Sequence, residues 1–191
     1  MSTDRRQDIL DAATKSFSLF GYKATTMNQV AKLANVGKGT IYTFFKNKEE
    51  LFDEIVTNMI RDMEVAANQA IRSSNTFQEN VHLSLYEMLE FRMEHQLTIK
   101  LFQEERDIGT PIVQDVMQKV ENTILQIIKN KIERAIEKGE IKDCDPELTA
   151  FVLVKLYIAL IFDWEKRREP LTKETIANLF DLYMIKGIAL E

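Results

Sequence analysis

Residues 36–51 read VGKGTIYTFFKNKEEL. Two glycines flank a lysine, three aromatics follow, and a basic step leads into an acidic helix start. Ile41 and Phe45, four residues apart, share one face and predict a short helix over 38–45. Gly39 falls in its first turn, where glycine costs about 1 kcal/mol relative to alanine. Such a cost asks for a compensating use. With no Cβ at Gly37 and Gly39, a phosphate or base edge can come close to the backbone, and the free N–H groups of a helix start favour an anion. Lys38 can reach a guanine edge or a phosphate, and Thr40 and Thr43 can hydrogen-bond or touch a thymine methyl. Tyr42 offers a phenol to the backbone of a nucleic acid, while Lys46 and Lys48 offer charge.

Upstream, Ile9, Ala12, Ala13, Phe17 and Phe20 recur at spacings of three and four, which predicts an amphipathic helix over 5–20 with Gly21 at its end. Thr26 and Gln29 form a capping box for a helix of about two turns, with Val30, Leu33 and Ala34 on its inward face. Asn35, Val36 and Gly37 break the chain before the 38–45 helix. Asn47 caps the next helix, with Glu50 as its capping partner. Two short helices joined by a tight turn and braced by a third make a helix-turn-helix, whose second helix enters the major groove through its N-terminal residues.

The remaining chain also reads as helix: 48–72, 77–93, 96–106, 111–138, 146–168 and 173–186. No alternating strand and no internal repeat interrupt it, so the fold class is all-α. The 191 residues hold six glycines and three prolines, which suits long helices. Residues 1–50 carry eight Lys/Arg against five acids, net +3, whereas the rest carries −8. A basic head on an acidic body points to a polyanion meeting the head alone. The single Cys144 excludes an internal disulfide and suits a reducing cytoplasm. MSTDRRQDIL lacks the apolar core of a signal peptide. FVLVKLYIALIF at 151–162 is too short, and too interrupted by Lys155, to span a membrane. Glu79 and His82 are one half of a helical di-iron pattern, but His95 has Arg92 where the second half needs a carboxylate. With no nucleophile motif, P-loop or paired-cysteine zinc site, no enzyme, metal or cofactor is expected.

Residues 5–52 resemble the DNA-binding domain of the TetR family of bacterial transcriptional regulators. The resemblance rests on IL-AA at 9–13, F-FGY-ATTM at 17–27, VAKLANVGKGTIYTFF at 30–45 and KNKEELF at 46–52. It carries Thr26, Lys38, Gly39, Thr40, Tyr42, Thr43 and Lys46 over as DNA-contacting positions. Gly37 stands where the family often has a serine cap, Asn35 where it often has glycine, and Phe44 where a tyrosine or histidine often grips phosphate. The resemblance implies a cytoplasmic homodimer that reads a palindromic operator on double-stranded DNA. It further implies a helix-turn-helix domain over 1–47 and, over 48–191, a helical domain that binds an unknown small-molecule effector and dimerises through its last two helices.

LTAFVLVKLYIALIFDW at 148–164 is apolar nearly all round, which a helix tolerates when buried on two sides. Phe151, Leu156, Leu160, Trp164, Phe180 and Tyr183 are the expected dimer face. Tyr86, Leu89, Arg92, Phe102 and Met117 are the expected effector pocket. The function expected is a repressor released by its effector. Two other readings stay open: a protein of the same fold that marks or organises chromosomal sites, and an effector-binding body whose head only stabilises the dimer.

Overall fold

A computed structural model describes residues 2–94, 96–166 and 168–188, with the backbone alone at 2–4 and 92–94. The described chain is all-α. Its helices are α1 (Ser2–Ala24), α2 (Met27–Leu33), α3 (Lys38–Phe44), α4 (Lys48–Gln69), α5 (Phe77–Glu94), α6 (Gln96–Ile108), α7 (Pro111–Glu137), α8 (Pro146–Ile158), α9 (Lys173–Phe180) and α10 (Lys186–Ile188). After α8 the chain winds through a π-helical turn, Ala159–Asp163, and a 3₁₀ turn, Trp164–Lys166; a second π turn, Asp181–Ile185, joins α9 to α10. The α-helix predicted over 146–168 therefore ends earlier, and Ile161 and Ile185 are the buried residues of the two wider turns.

By internal packing the chain forms two compact units, one of residues up to 62 together with 92–119, the other of 63–91 together with 120 onward. In the first unit α1, α2, α3, the start of α4, α6 and the start of α7 share a core. Ile9, Ala13, Phe17, Val30, Ile41, Leu51, Phe52, Leu101 and Val113 are completely buried there. Phe17, Tyr22 and Phe52 form an aromatic triad with centroid separations of 5.8, 5.2 and 4.7 Å. Offset and edge-on pairs of this kind add to the area they bury.

Gly21 decides how that triad forms. Its φ of 82° and ψ of 172° lie in a region open essentially to glycine alone. The chain breaks there and resumes for one turn, so Tyr22 swings inward to complete the triad. Phe20, expected in the core, is left 56% exposed by the same break. Leu33 is a second correction. Met27, Val30 and Ala31 are the buried residues of α2, and Leu33 lies on its exposed flank. At 100° per residue, Leu33 falls well outside the arc those three define. A Cβ at Gly21 would meet the Glu104 carboxylate as well as straining the backbone. Gly21→Ala is therefore expected to destabilise the first unit by about 1–3 kcal/mol, read by chemical denaturation.

The second unit holds two apolar clusters. Leu85, Leu89, Ile161, Ile176, Ala177 and Phe180 form one; Ile132, Ala135, Ile141 and Ala150 form the other, with Cys144 packed against it as an ordinary small side chain. Asp145 accepts from the N–H groups of Glu147 and Leu148 and starts α8 at Pro146, a residue whose fixed φ suits the first helical position. No helix among the described residues is long and apolar enough to cross a membrane.

Candidate nucleic-acid interface

The α2–α3 pair is assembled from its caps. Thr26 accepts from the Gln29 N–H at 3.3 Å, and the Gln29 side chain accepts from the Thr26 N–H at 2.8 Å, which completes the capping box. After α2 the N–H groups of Ala34 and Val36 return to Val30 and Ala31 carbonyls at 2.9 Å. Asn35 takes the left-handed conformation, φ 52°, that such a tight turn needs. Gly37 then starts α3 with no side-chain cap. Ile41 and Phe45 are buried and pin α3 to the core, as their spacing predicts.

With that face fixed, the opposite face has to point outward. Gly39 and Thr43 lie on it and are exposed, Tyr42, 44% exposed, flanks them, Lys38 is exposed at the first position of α3, and Thr40 is half-buried. Thr43 donates to the Thr40 carbonyl at 2.7 Å. A Cβ built on Gly39 would meet nothing within 4 Å, so no packing inside the chain asks for glycine there. Gly37 is nearly as open, its nearest neighbour being the Thr40 hydroxyl at 3.6 Å. Thr26 and Lys46 are exposed at the two ends of the same pair of helices. The Lys46 N–H is held by Glu50 at 2.7 Å, while the Glu50 N–H is held by Asn47 at 2.8 Å. The reciprocal cap expected at Asn47 thus reaches one residue further back.

Lys48 has partners within the chain. Its ammonium, expected to meet a phosphate, donates to the Tyr22 and Thr25 carbonyls, each at 2.9 Å, and lies 4.1 Å from the Tyr22 ring centroid. Partial burial lowers its pKa, against the pull of Glu49 and Glu104. Two of its three donors are spent on backbone, and it acts as a staple between α4 and the α1–α2 joint. Arg6 is similarly engaged, forked onto Glu54 with both contacts at 2.5 Å and lying over the Phe45 ring. The exposed cations of the head are Arg5, Lys15, Lys23, Lys32, Lys38 and Lys46.

The joint contains a residue that the sequence reading passed over. Glu104 on α6 is 4% exposed. Its carboxylate accepts from the backbone N–H of Tyr22 at 2.5 Å and of Lys23 at 2.9 Å, and from the Thr110 hydroxyl at 2.9 Å. The Tyr22 phenol donates to Glu49 at 2.9 Å; burial first, then that bond and the nearby carboxylates, hold it protonated far above its ordinary range. Leu97, Leu101 and Glu104, the buried residues of α6, recur at spacings of four and three. A carboxylate on the buried stripe of a helix was the available signal.

The expected pocket residues fall in both units. Tyr86 donates to Glu174 at 3.0 Å, and Leu89 is buried in the second unit's core. Phe102 is half-buried and Met117 buried in the first unit, and the Arg92 side chain lies outside the described residues. Of the expected dimer residues, Phe151 and Tyr183 are exposed, Tyr183 at 65%. Leu156, Leu160 and Trp164 are half-buried, and Phe180 is packed inside its own cluster. No group of three His, Cys, Asp or Glu side chains among the described residues could hold a metal.

The sequence profile of the bacterial regulatory proteins, tetR family, matches residues 9–55, the segment that forms this site. An HTH-type transcriptional regulator of Bacillus subtilis (strain 168), YhgD, is 65% identical over 189 residues, covering 99% of each chain. The chain belongs to the TetR family. Its fold is shared with a TetR-family regulator structure from Syntrophomonas wolfei, at a TM-score of 0.81 and 18% identity, covering 98% of this chain and 96% of that one. AibR, solved in complex with isovaleryl coenzyme A and operator DNA, superposes at a TM-score of 0.66 and 20% identity, covering 94% and 98%. The family is one of DNA-binding transcriptional regulators rather than enzymes, and the helix-turn-helix is the part of this chain built for that task.

Proposed function

We propose that this TetR-family regulator is a cytoplasmic, ligand-responsive repressor that binds a palindromic operator as a homodimer and is released by a small-molecule effector. The observation that carries the reading is the outer face of α3, where Gly39 is kept without a packing reason beside an exposed lysine, tyrosine and threonine. In this reading Thr26, Gly37, Lys38, Gly39, Thr40, Tyr42, Thr43, Lys46 and Lys48 meet the DNA, the threonines at base edges and Lys38 with the others at phosphates. Residues 1–47 form the reading head and 48–191 the effector-binding and dimerising body. Exposed Leu148, Phe151, Val152, Leu182 and Tyr183 supply apolar surface that a second copy would cover. Tyr86, Leu89, Arg92, Phe102 and Met117 are the proposed effector contacts, and AibR's acyl-coenzyme A and operator lend support to a coupled pair of sites.

Two heads dock when half-sites lie about one helical turn, ~34 Å, apart. An effector that binds a differently spaced dimer more tightly lowers operator affinity by the same coupling. The test is anisotropy titration of the full chain against a duplex enriched by the wild-type protein from a random pool. Lys38→Ala should weaken binding about tenfold and reduce the log–log salt slope by about one. Unchanged affinity and slope in Lys38→Ala, or a strictly monomeric protein at operator-binding concentrations, would overturn the reading.

A further inference from the structure

The joint 21–26 links α1 to the α2–α3 pair, and polar ties hold its backbone while the Tyr22 ring packs in the aromatic triad. Thr25 donates its hydroxyl to the Gly21 carbonyl at 2.8 Å and lies 3.1 Å from the Ser16 hydroxyl. Lys48 grips the Tyr22 and Thr25 carbonyls from α4. The N–H groups of Tyr22 and Lys23, freed by the break at Gly21, both end on Glu104, which lies on α6, far outside the matched residues 9–55. Burying a carboxylate costs free energy that an apolar residue at this core position would avoid. Its three donors offset that cost, and a bond from an amide to a charged acceptor is roughly twice as strong as a neutral one.

We propose that Glu104 is a positioning residue for DNA binding: by clamping the Tyr22 and Lys23 amides it sets where α2 starts and hence how α3 meets the groove. Thr26 follows the clamped amides by four and three residues and caps α2, and α2 packs on α3, with Val30 and Ile41 both completely buried. A recognition surface works only within about 0.5 Å and 10–20° of its productive pose, so its support has to be rigid. Glu104 supplies that support without touching DNA. The proposal rests on the DNA-binding reading above and adds a residue to it.

Glu104→Gln separates position from charge, because the two predict opposite signs. Removing a negative charge from a DNA-binding unit favours the polyanion. Loss of the clamp disfavours it, since the glutamine NH₂ sets a donor against one of the three donors. With the enriched duplex as probe, Glu104→Gln in the full chain should bind about tenfold more weakly at an unchanged salt slope, because no phosphate contact is lost. Hydrogen–deuterium exchange should quicken at residues 22–45 and stay unchanged in α8 and α9. Wild-type or tighter binding overturns the proposal, as does weakened binding with unchanged exchange at 22–45. If the wild type enriches no duplex, the DNA-binding reading fails by itself, and unchanged exchange in Glu104→Gln then overturns the clamp separately. Should Glu104→Gln not fold, Glu104→Asp, which retracts the carboxylate by one methylene, is read the same way.

Discussion

Gly39→Glu is expected to abolish operator binding in a protein that is at least as stable as its parent. The stability half follows from the helix alone. A side chain at residue 39 enters open space, so no neighbour has to move. Replacing glycine inside a helix recovers about 0.5–1 kcal/mol, and an acid in the first turn gains further from the helix dipole. The binding half follows from what the face is for. A carboxylate beside Lys38 would meet phosphates or acceptor-rich guanine edges at short range, and like-charge juxtaposition at an interface costs several kcal/mol. A loss of about 100-fold or more, on the order of 3 kcal/mol, is therefore expected. Anisotropy against the enriched duplex and a thermal melt together give the answer. A variant that gains stability and keeps its affinity would remove α3 from the interface. Gly39→Ala should move both quantities in the same directions by smaller amounts.

The readable parts of the site were those written locally. Thr26 and Gln29 form their box because three residues separate them, and Ile41 and Phe45 turn inward because four do. What those anchors leave outside, Gly39, Tyr42 and Thr43, follows from helix geometry alone, and Lys38 is exposed because it is the first residue of α3. The intrachain partners of Lys48 were not legible, because the Tyr22 and Thr25 carbonyls are backbone groups more than twenty residues away. No side-chain pattern announces a free carbonyl. Phe20 was misread for a similar reason: a glycine after a helix says that the chain turns, not which aromatic the turn delivers to the core. Glu104 shows the longest reach of all, since the amides it satisfies lie more than eighty residues upstream. The π turns at Ala159–Asp163 and Asp181–Ile185 left no mark in the apolar periodicity, because a continuous apolar run reads the same in either helix type.

Phe52→Ala should be the most damaging single truncation in the first unit. The ring is completely buried on α4, edge-on to Phe17 and tilted against Tyr22. Phenylalanine-to-alanine changes in a packed core cost about 3–5 kcal/mol, a large share of the ~5–15 kcal/mol by which a typical domain is stable. The site cannot readily collapse to refill the space. Phe17 is held by α1, and Tyr22 is fixed at its far end by Glu49, at its ring by Lys48 and at its amide by Glu104. The cavity therefore opens beneath the joint that carries α2 and α3, and operator binding should fall together with stability. Denaturant unfolding followed by circular dichroism should show a transition shifted to low denaturant. Leu33→Ala, on the exposed flank of α2, is the control and should change stability by no more than about 0.5 kcal/mol. A Phe52→Ala protein that melts with its parent would mean that the aromatic triad does not hold the head together.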